Sequence, residues 1–357
     1  MADLVQSFRE TVKGARFPMQ KVHLILSHLY LLPWFARRFV GCELPLRPFL
    51  DANPCLELGG LPIAPKHTRY GDAPPYLPSL MIDATTDPAS ISEFADAHAF
   101  PLVLKPLFGA HSRGVRKVPN RRELQKISAE EPMILQPYVD APKEYGINVL
   151  RVGSRVKIYG LTEITLRAVW GDGTRTLNAL VRDEYGTDQA DLIDDGAWVP
   201  NDGCRVPLQT AADVQAGSSF RDITDEVTPA LREACQEAAD QIDLRFGRFD
   251  VKAQSLEALK DGDFHVMEVN GSPSLDLTLY DADYSLCVKI ERLRAHWNQF
   301  FQQAQPCRSC DRNSWGLLSH LLWYVLSPKE CAISSWNEVD DGELASGAEP
   351  KWGAPRG

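Results

Sequence analysis

Residues 248–275 read RFDVKAQSLEALKDGDFHVMEVNGSPSL. From Gly247 to Gln254 apolar and polar residues alternate, the period-two pattern of a strand lying half buried on a sheet. Phe264 to Val269 forms a second such run, and Lys260-Asp261-Gly262-Asp263 supplies the reversal between them. Asp-Gly flanked by alternating runs signals an antiparallel hairpin. In an antiparallel pair, alternate side chains of both strands share a face. Asp250 is therefore expected to face Glu268 and Asn270. Two carboxylates and an amide carbonyl would converge with no lysine beside them to neutralise the charge. Hard oxygen donors of that kind suit Mg²⁺, which is held by one or two carboxylates together with substrate phosphates. The plainer alternative is an exposed hairpin carrying solvated acids.

Composition bounds the rest. A chain of 357 residues, 44% hydrophobic, can bury one large core or two to three sub-domains. A net charge of −10 and the lack of any Lys/Arg-rich run argue against a nucleic-acid surface. The 8 cysteines are scattered and no signal peptide precedes them, so a reducing cytoplasm is expected. Cys307-x-x-Cys310 is half of a zinc pattern whose other half is missing, since Cys331 stands alone, and two free thiols on a loop are the expectation. From about Asn337 the chain is acidic, Gly-rich and poor in aliphatics, the composition of a disordered tail.

Met1 to Gly41 reads as helical. Val22–Val40 is the most apolar stretch, interrupted by His23, His28, Pro33, Arg37 and Arg38, which argues against a membrane span. It reads as a helix packed on the main body and broken at Pro33, with peripheral membrane contact as the alternative. His23 and His28 are wrongly spaced for a shared helix face. Leu50 to Tyr70 is loop-rich and ends near Lys66, a residue type usually solvated. Asp87 caps a helix that Pro88 opens. A buried strand, Pro101 to Lys105, leads into the glycine-bearing stretch Leu107 to Val115, where backbone N–H groups can cradle an anion. Asn120 with Glu123 reads as the capping box of a helix to Ser128. Strands follow at Met133 to Gln136, Tyr145 to Val152 and Val156 to Leu166. Trp170 to Thr174 caps a helix reaching about Tyr185, and Gln189 to Asp225 reads as an irregular, polar lid. Val227 to Arg245 is an amphipathic helix striped by Leu231, Ala234, Cys235, Ala238 and Ile242. Asp283 to Gln302 is another helix. Trp315 to Leu326 is an apolar segment of about twelve residues, too short to cross a bilayer.

A strand ending in Lys, a Gly loop, a strand and bend ending in Glu, a Gly-Asp-Gly helix start, a long helix, and an Asp strand hairpinned to Glu-x-Asn occur here in one order. That order resembles the ATP-grasp superfamily over roughly Lys66 to Pro273. Within it the chain looks most like the D-alanine–D-alanine ligase-like carboxylate–amine ligases. Ala52-Asn53-Pro54 with Gly59-Gly60, Glu268-Val-Asn-Gly, Tyr280-Asp281 and Ala295-His296-Trp297 are similar to an uncharacterised branch of them. Gly171-Asp172-Gly173 is similar to cyanophycin synthetase and glutathione ligase relatives. The resemblance implies an α+β, ATP-grasp fold of two subdomains clamping ATP. A helical region, 1–60, would precede a domain at 61–305 divided into 61–140 and 141–305. A helical extension, 306–336, and a disordered tail, 337–357, would follow.

Carried onto this chain, the resemblance implies that Lys66 and Lys105 hold the ATP phosphates beneath the loop Gly109 to Gly114, with Ser112 in contact. Gln136, Tyr138 and Val139 would flank adenine, and Glu144 would bind ribose. Asp250, Glu268 and Asn270 would hold Mg²⁺, with Mn²⁺ as an alternative. Arg248 would stabilise the acyl-phosphate and the tetrahedral intermediate. Arg167 would be a further phosphate contact, and Ser272 and Ser274 would meet substrate carboxylate. The partners implied are a small-molecule carboxylic acid and an amine. The chemistry fits the residue types: phosphorylation gives a poorly electrophilic carboxylate a leaving group, and catalysis is positioning and charge neutralisation. The departure from the family lies in the first sixty or so residues, which look helical where relatives carry a small α/β domain. The other readings are an ATP-grasp kinase with a hydroxyl acceptor and a non-catalytic nucleotide-binding scaffold.

Overall fold

A computed structural model of the chain describes residues 19–39, 47–61, 66, 70–107, 114–127, 132–185, 196–208 and 218–304. Residues 1–18, the loop 108–113, and everything from 305 onward lie outside that set. So do Gly109, Ser112, the Cys307-x-x-Cys310 pair, the apolar segment Trp315 to Leu326 and the acidic end.

The elements in chain order are α1 (Met19–Phe39), α2 (Arg47–Asp51), β1 (Leu80–Ile82), α3 (Pro88–His98), β2 (Leu102–Pro106), β3 (Arg116–Val118), α4 (Arg121–Leu124), β4 (Met133–Pro137), β5 (Lys143–Val152), β6 (Arg155–Thr165), β7 (Ala168–Trp170), α5 (Leu177–Tyr185), β8 (Arg205–Pro207), β9 (Ser219–Asp222), α6 (Pro229–Gln241), β10 (Phe246–Ala253), α7 (Leu256–Lys260), β11 (His265–Asn270) and α8 (Leu286–Gln303). They form an α+β fold with a four-stranded sheet, β1-β4-β2-β3, and a five-stranded sheet, β11-β10-β5-β6-β9, every named pair antiparallel. A small β7-β8 ribbon stands apart.

The helix starts follow their caps. Asp87 accepts from the Ala89 N–H, Thr228 from Leu231 and Ser285 from Val288, each with a side-chain oxygen. On α6 the expected stripe is buried through Leu231, Cys235 and Ala238. It packs on the face of the larger sheet that carries Ile147, Leu161, Phe249, Val266 and Val269. Asn120 caps α4 as its sequence implies, but that helix ends at Leu124, and Glu123 turns to Lys126 at 2.6 Å.

Three expectations are corrected. The helix through Pro33 is continuous from Met19 to Phe39. Proline removes one intrahelical donor there, but Trp34 and Phe35 beside it pack edge-on against Phe301 and Trp297 of α8, which holds that turn in place. The polar stretch Gln189 to Asp225 contains β8 and β9. Both are short and at edges, where an apolar alternation has little reason to appear. The reversal between β10 and β11 includes a one-turn helix, α7, capped by Ser255. Among the described residues no helix is long and apolar enough to cross a membrane.

Candidate active site

The register of β10 and β11 decides which side chains meet. Asp250 lies directly opposite Glu268, and Arg248 opposite Asn270. All four therefore share the face opposite to Phe249 and Val269. Across β10 the neighbours on β5 are Asn148, Gly146 and Glu144, facing Arg248, Asp250 and Lys252 in turn. A bulge after Asp250 leaves Met267 unpaired, and Val251 then meets Val266, so the core pattern resumes beyond it.

The carboxylates are not alone, contrary to the reading of the sequence. Arg248 grips Asp250 with two nitrogens, Nε to Oδ1 at 2.5 Å and Nη2 to Oδ2 at 3.0 Å. Asn270 Nδ2 donates to the same Asp250 Oδ2 at 2.7 Å. Lys66 Nζ stands 3.4 Å from Glu268 Oε1. Lys66 is far from the hairpin along the chain and no spacing could find it, whereas Arg248 lies on the face of Asp250 by the same strand alternation. Arg248 is half-buried, and its guanidinium is held charged above the ordinary arginine value by Asp250 and Glu268, against the penalty of desolvation. Lys66 is 8% exposed, so it is not the solvated loop lysine that its sequence neighbourhood suggests.

Lys105, from the end of β2 in the smaller sheet, reaches the same strand, its Nζ donating to the Met267 carbonyl at 3.3 Å. Burial, opposed by Glu268 and reinforced by Lys66 and Lys252, lowers its pKa to about 8. The backbone N–H of Lys66 donates to Leu107 O at 3.1 Å, which ties both lysines to one end of the smaller sheet. Lys105 from the smaller sheet and Lys66, held against Leu107 just after β2, thus bring two cations to the seam opposite the two carboxylates of the larger sheet.

Around this centre the other expected residues take varied positions. Val139 is buried with Leu77 and Ala141 against Met267, an apolar floor beside Lys105. Gln136 is buried, donates to Ser79 Oγ at 2.7 Å, and leaves its Oε1 without a protein partner. Tyr138 carries Lys117 Nζ over its ring at 3.8 Å. Glu144 pairs with Lys252 at 3.1 Å. Gly114 has φ +76, and a Cβ there would strike Pro106 at 2.8 Å. Arg167 lies over the Tyr185 ring, beside the β7-β8 ribbon. Ser274 donates to Asn270 O at 3.2 Å.

Ser272 is engaged away from any ligand. It donates to Gly59 O at 2.9 Å and accepts from Asn53 Nδ2 at 2.8 Å. Asn53, fully buried, also donates to Phe246 O and accepts from the Arg245 and Phe246 N–H groups. Gly59 and Gly60 take positive φ so that this turn can lie against Gly271, where a Cβ would meet backbone at 2.6 Å. This clamp ties the start of β10 to the end of β11, at the open end of the pair. Sequence reasoning noticed Asn53 and the two glycines without assigning them this role.

Two more features escaped the sequence. After β11 the chain folds back over the inner half of the same sheet face: Leu275 O accepts from Arg248 Nη1 at 3.0 Å, and Asp276 sits above Gly160. Burial raises the Asp276 carboxyl to about 6. At the far end of that face Phe246, Leu150 and Tyr159 are covered by α8 and α1. Buried there, His296 contacts the Tyr159 hydroxyl at 3.1 Å, and burial lowers its pKa to about 3.

Two carboxylates and one amide oxygen are a donor set that Mg²⁺ can use when phosphate oxygens complete its shell. Among the described residues no group of three or more His, Cys, Asp or Glu could hold a metal by itself. The donor set therefore fits a cation that arrives with a polyphosphate rather than one caged by protein alone.

No protein-family model and no curated protein matches the chain. Among solved structures it is similar to a bifunctional glutathione synthetase from Pasteurella multocida, at 15% identity over 66% of this chain and 34% of that one, with a TM-score of 0.36. It is similar also to the ATP-grasp ligase PsnB in complex with a minimal precursor, at 17% identity over 63% and 55% of the two chains, TM-score 0.36. A D-alanine–D-alanine ligase from Bacillus anthracis follows at 16% identity, 64% and 60%, TM-score 0.34. The chain thus spans about a third of the first and little more than half of the other two. At TM-scores below 0.5 these likenesses assign neither a family to the chain nor a role to any residue.

Proposed function

We propose that the chain is an ATP-dependent carboxylate–amine ligase that works through an acyl-phosphate and releases ADP and phosphate. The observation that supports it most is the seam just described. Arg248, Asp250, Glu268 and Asn270 share one sheet face, with Lys105 of the other sheet and Lys66, bonded to Leu107, beside it.

In this reading Lys66 and Lys105 bind the phosphates as charge-assisted donors. Val139 and Met267, with Gln136 and Tyr138, line the base, and the Gln136 carbonyl that lacks a protein partner accepts from it. Glu144 takes a ribose hydroxyl in exchange for Lys252. The loop 109–114, Ser112 included, closes over the phosphates, and Arg167 approaches them from the β7-β8 side. Asp250, Glu268 and Asn270 would hold Mg²⁺, which when bound supplies charge neutralisation at the phosphates. Mn²⁺ has the same ligand preferences.

The present ion pairs are then resting partners. As ATP binds, Lys66 leaves Glu268 for phosphate, and Arg248 turns part of its donor set from Asp250 toward the reacting carbonyl. A rigid guanidinium with five donors suits a developing oxyanion. Ser274, close behind Asn270, orients the acid; Ser272 supports the strand ends through Asn53.

The test is acyl-phosphate trapping. The protein is incubated with Mg-ATP, hydroxylamine and a panel of amino acids and small carboxylic acids, and hydroxamate is read together with ADP. Hydroxamate matching ADP is expected. ADP formed with a hydroxyl acceptor and no hydroxamate would replace this reading with the kinase. Absence of ATP binding by calorimetry would remove both.

A further inference from the structure

Six of the ten exposed large apolar side chains among the described residues lie on α1: Met19, Ile25, Leu26, Leu29, Tyr30 and Leu32. Ile25, Leu29 and Leu32 recur at helical spacing. With Leu24, His28 and Phe35 they line a groove of about 530 Å³. The adjoining flank of the helix is already used: Leu31 and Trp34, with Leu24 and Phe35 at the groove's edge, pack with Trp297 and Phe300 of α8. The groove is thus an apolar surface next to a finished core, and an apolar patch of that kind marks an interaction site.

We propose that this groove is covered by the chain's own segment Trp315 to Leu326. Its sequence, WGLLSHLLWYVL, contains no charged residue. In helical form it would be about 18 Å long, matching the exposed stretch from Met19 to Leu32 at about 20 Å. The point of departure is fixed beside α1. Trp34 meets Phe301 at 5.9 Å, and Gln303 Nε2 donates to Arg151 O at 2.6 Å. From Ala304 the roughly eleven residues to Trp315 reach up to about 36 Å when extended, more than the length of α1 at about 32 Å. A tether of that length holds the segment at an effective concentration near the millimolar range, far above that of a second copy at micromolar protein. The tether therefore favours the chain's own segment over a second copy.

The test uses the full chain and no catalytic readout, so it stands or falls apart from the ligase reading. A photo-crosslinking p-benzoylphenylalanine replaces Leu29, and the products are mapped by mass spectrometry. A cross-link of monomer mass to a peptide within 315–326 is expected, lost when Leu318→Asp and Leu322→Asp are combined. Cross-linked dimers joined through 19–39 on both sides would overturn the proposal in favour of a second copy. Attachment only to lipid, when phosphatidylserine vesicles are present, would overturn it in favour of a membrane surface. A second measurement reads amide exchange across 22–32, expected to quicken at least about tenfold in the double Asp variant, in line with the loss of a local cover. Unchanged exchange there would also overturn it.

Discussion

The two faces of the five-stranded sheet are built from the same residues' neighbours and do opposite work. On one face Ile147, Leu161, Phe249, Val266 and Val269 close on α6 in a dry core. On the other Asn148, Arg248, Asp250, Glu268 and Asn270 lie in a row with Lys66 and Lys105 beside them. A slip of one residue in β10 against β11 would exchange them. The site is therefore a by-product of a register that the core enforces, and the core can be disturbed separately from the chemistry.

The largest effect expected belongs to the polar face. Glu268→Gln keeps the size of the side chain and removes the charge. ATP turnover should fall by at least about 1,000-fold, roughly 4 kcal/mol of activation free energy, while the thermal midpoint moves little. Turnover within twofold of the parent would break the assignment of Glu268. The core face responds the other way. Phe249→Ala leaves a cavity beneath Asp250 and should cost about 3 to 4 kcal/mol in denaturant unfolding, with nucleotide affinity kept in the fraction that remains folded. Equal losses in both quantities would show that the faces are not separable.

Asn53→Ala probes the clamp that holds the strand ends. It leaves the Arg245 and Phe246 N–H groups and Ser272 with fewer partners, and about 2 kcal/mol of stability should go. Asn53→Asp keeps the acceptor but buries a carboxylate against the Gly59 and Phe246 carbonyls, and should lose at least as much. The smallest effect lies in pH. Lys105 binds phosphate as the cation, and in the free protein it gives up its proton near pH 8 because it is buried. ATP affinity should therefore be full below pH 8 and weaken by up to about tenfold per unit above it, about 1.4 kcal/mol. Lys105→Arg should flatten that slope, and a parent profile flat from pH 7 to 9.5 would remove Lys105 from the phosphates.

Most of the frame was legible along the chain because its signals are local. Caps at Asp87 and Asn120, the alternation in 247–254 and 264–269, and the stripe on α6 each depend on residues a few positions apart. The misses have a common cause. Pro33 breaks a helix only where nothing else holds it, and α8 does so from 260 residues away. The strands β8 and β9 are short edges with little hydrophobic periodicity to read. Lys66 appeared solvated because its partner, Glu268, is distant in sequence.

The sequence by itself therefore determined the two strands and the shared face of Asp250, Glu268 and Asn270, because period-two alternation and an antiparallel return leave one way to share a face. Only the tertiary structure decided that Lys66 pairs with Glu268, that Lys105 from the other sheet reaches the Met267 carbonyl beside it, and that Asn53 and Ser272 tie the open end of the strand pair. Those contacts depend on how two sheets and the N-terminal turns meet, and the free energy that sets that meeting comes from burial summed over the core, which no short stretch of sequence displays.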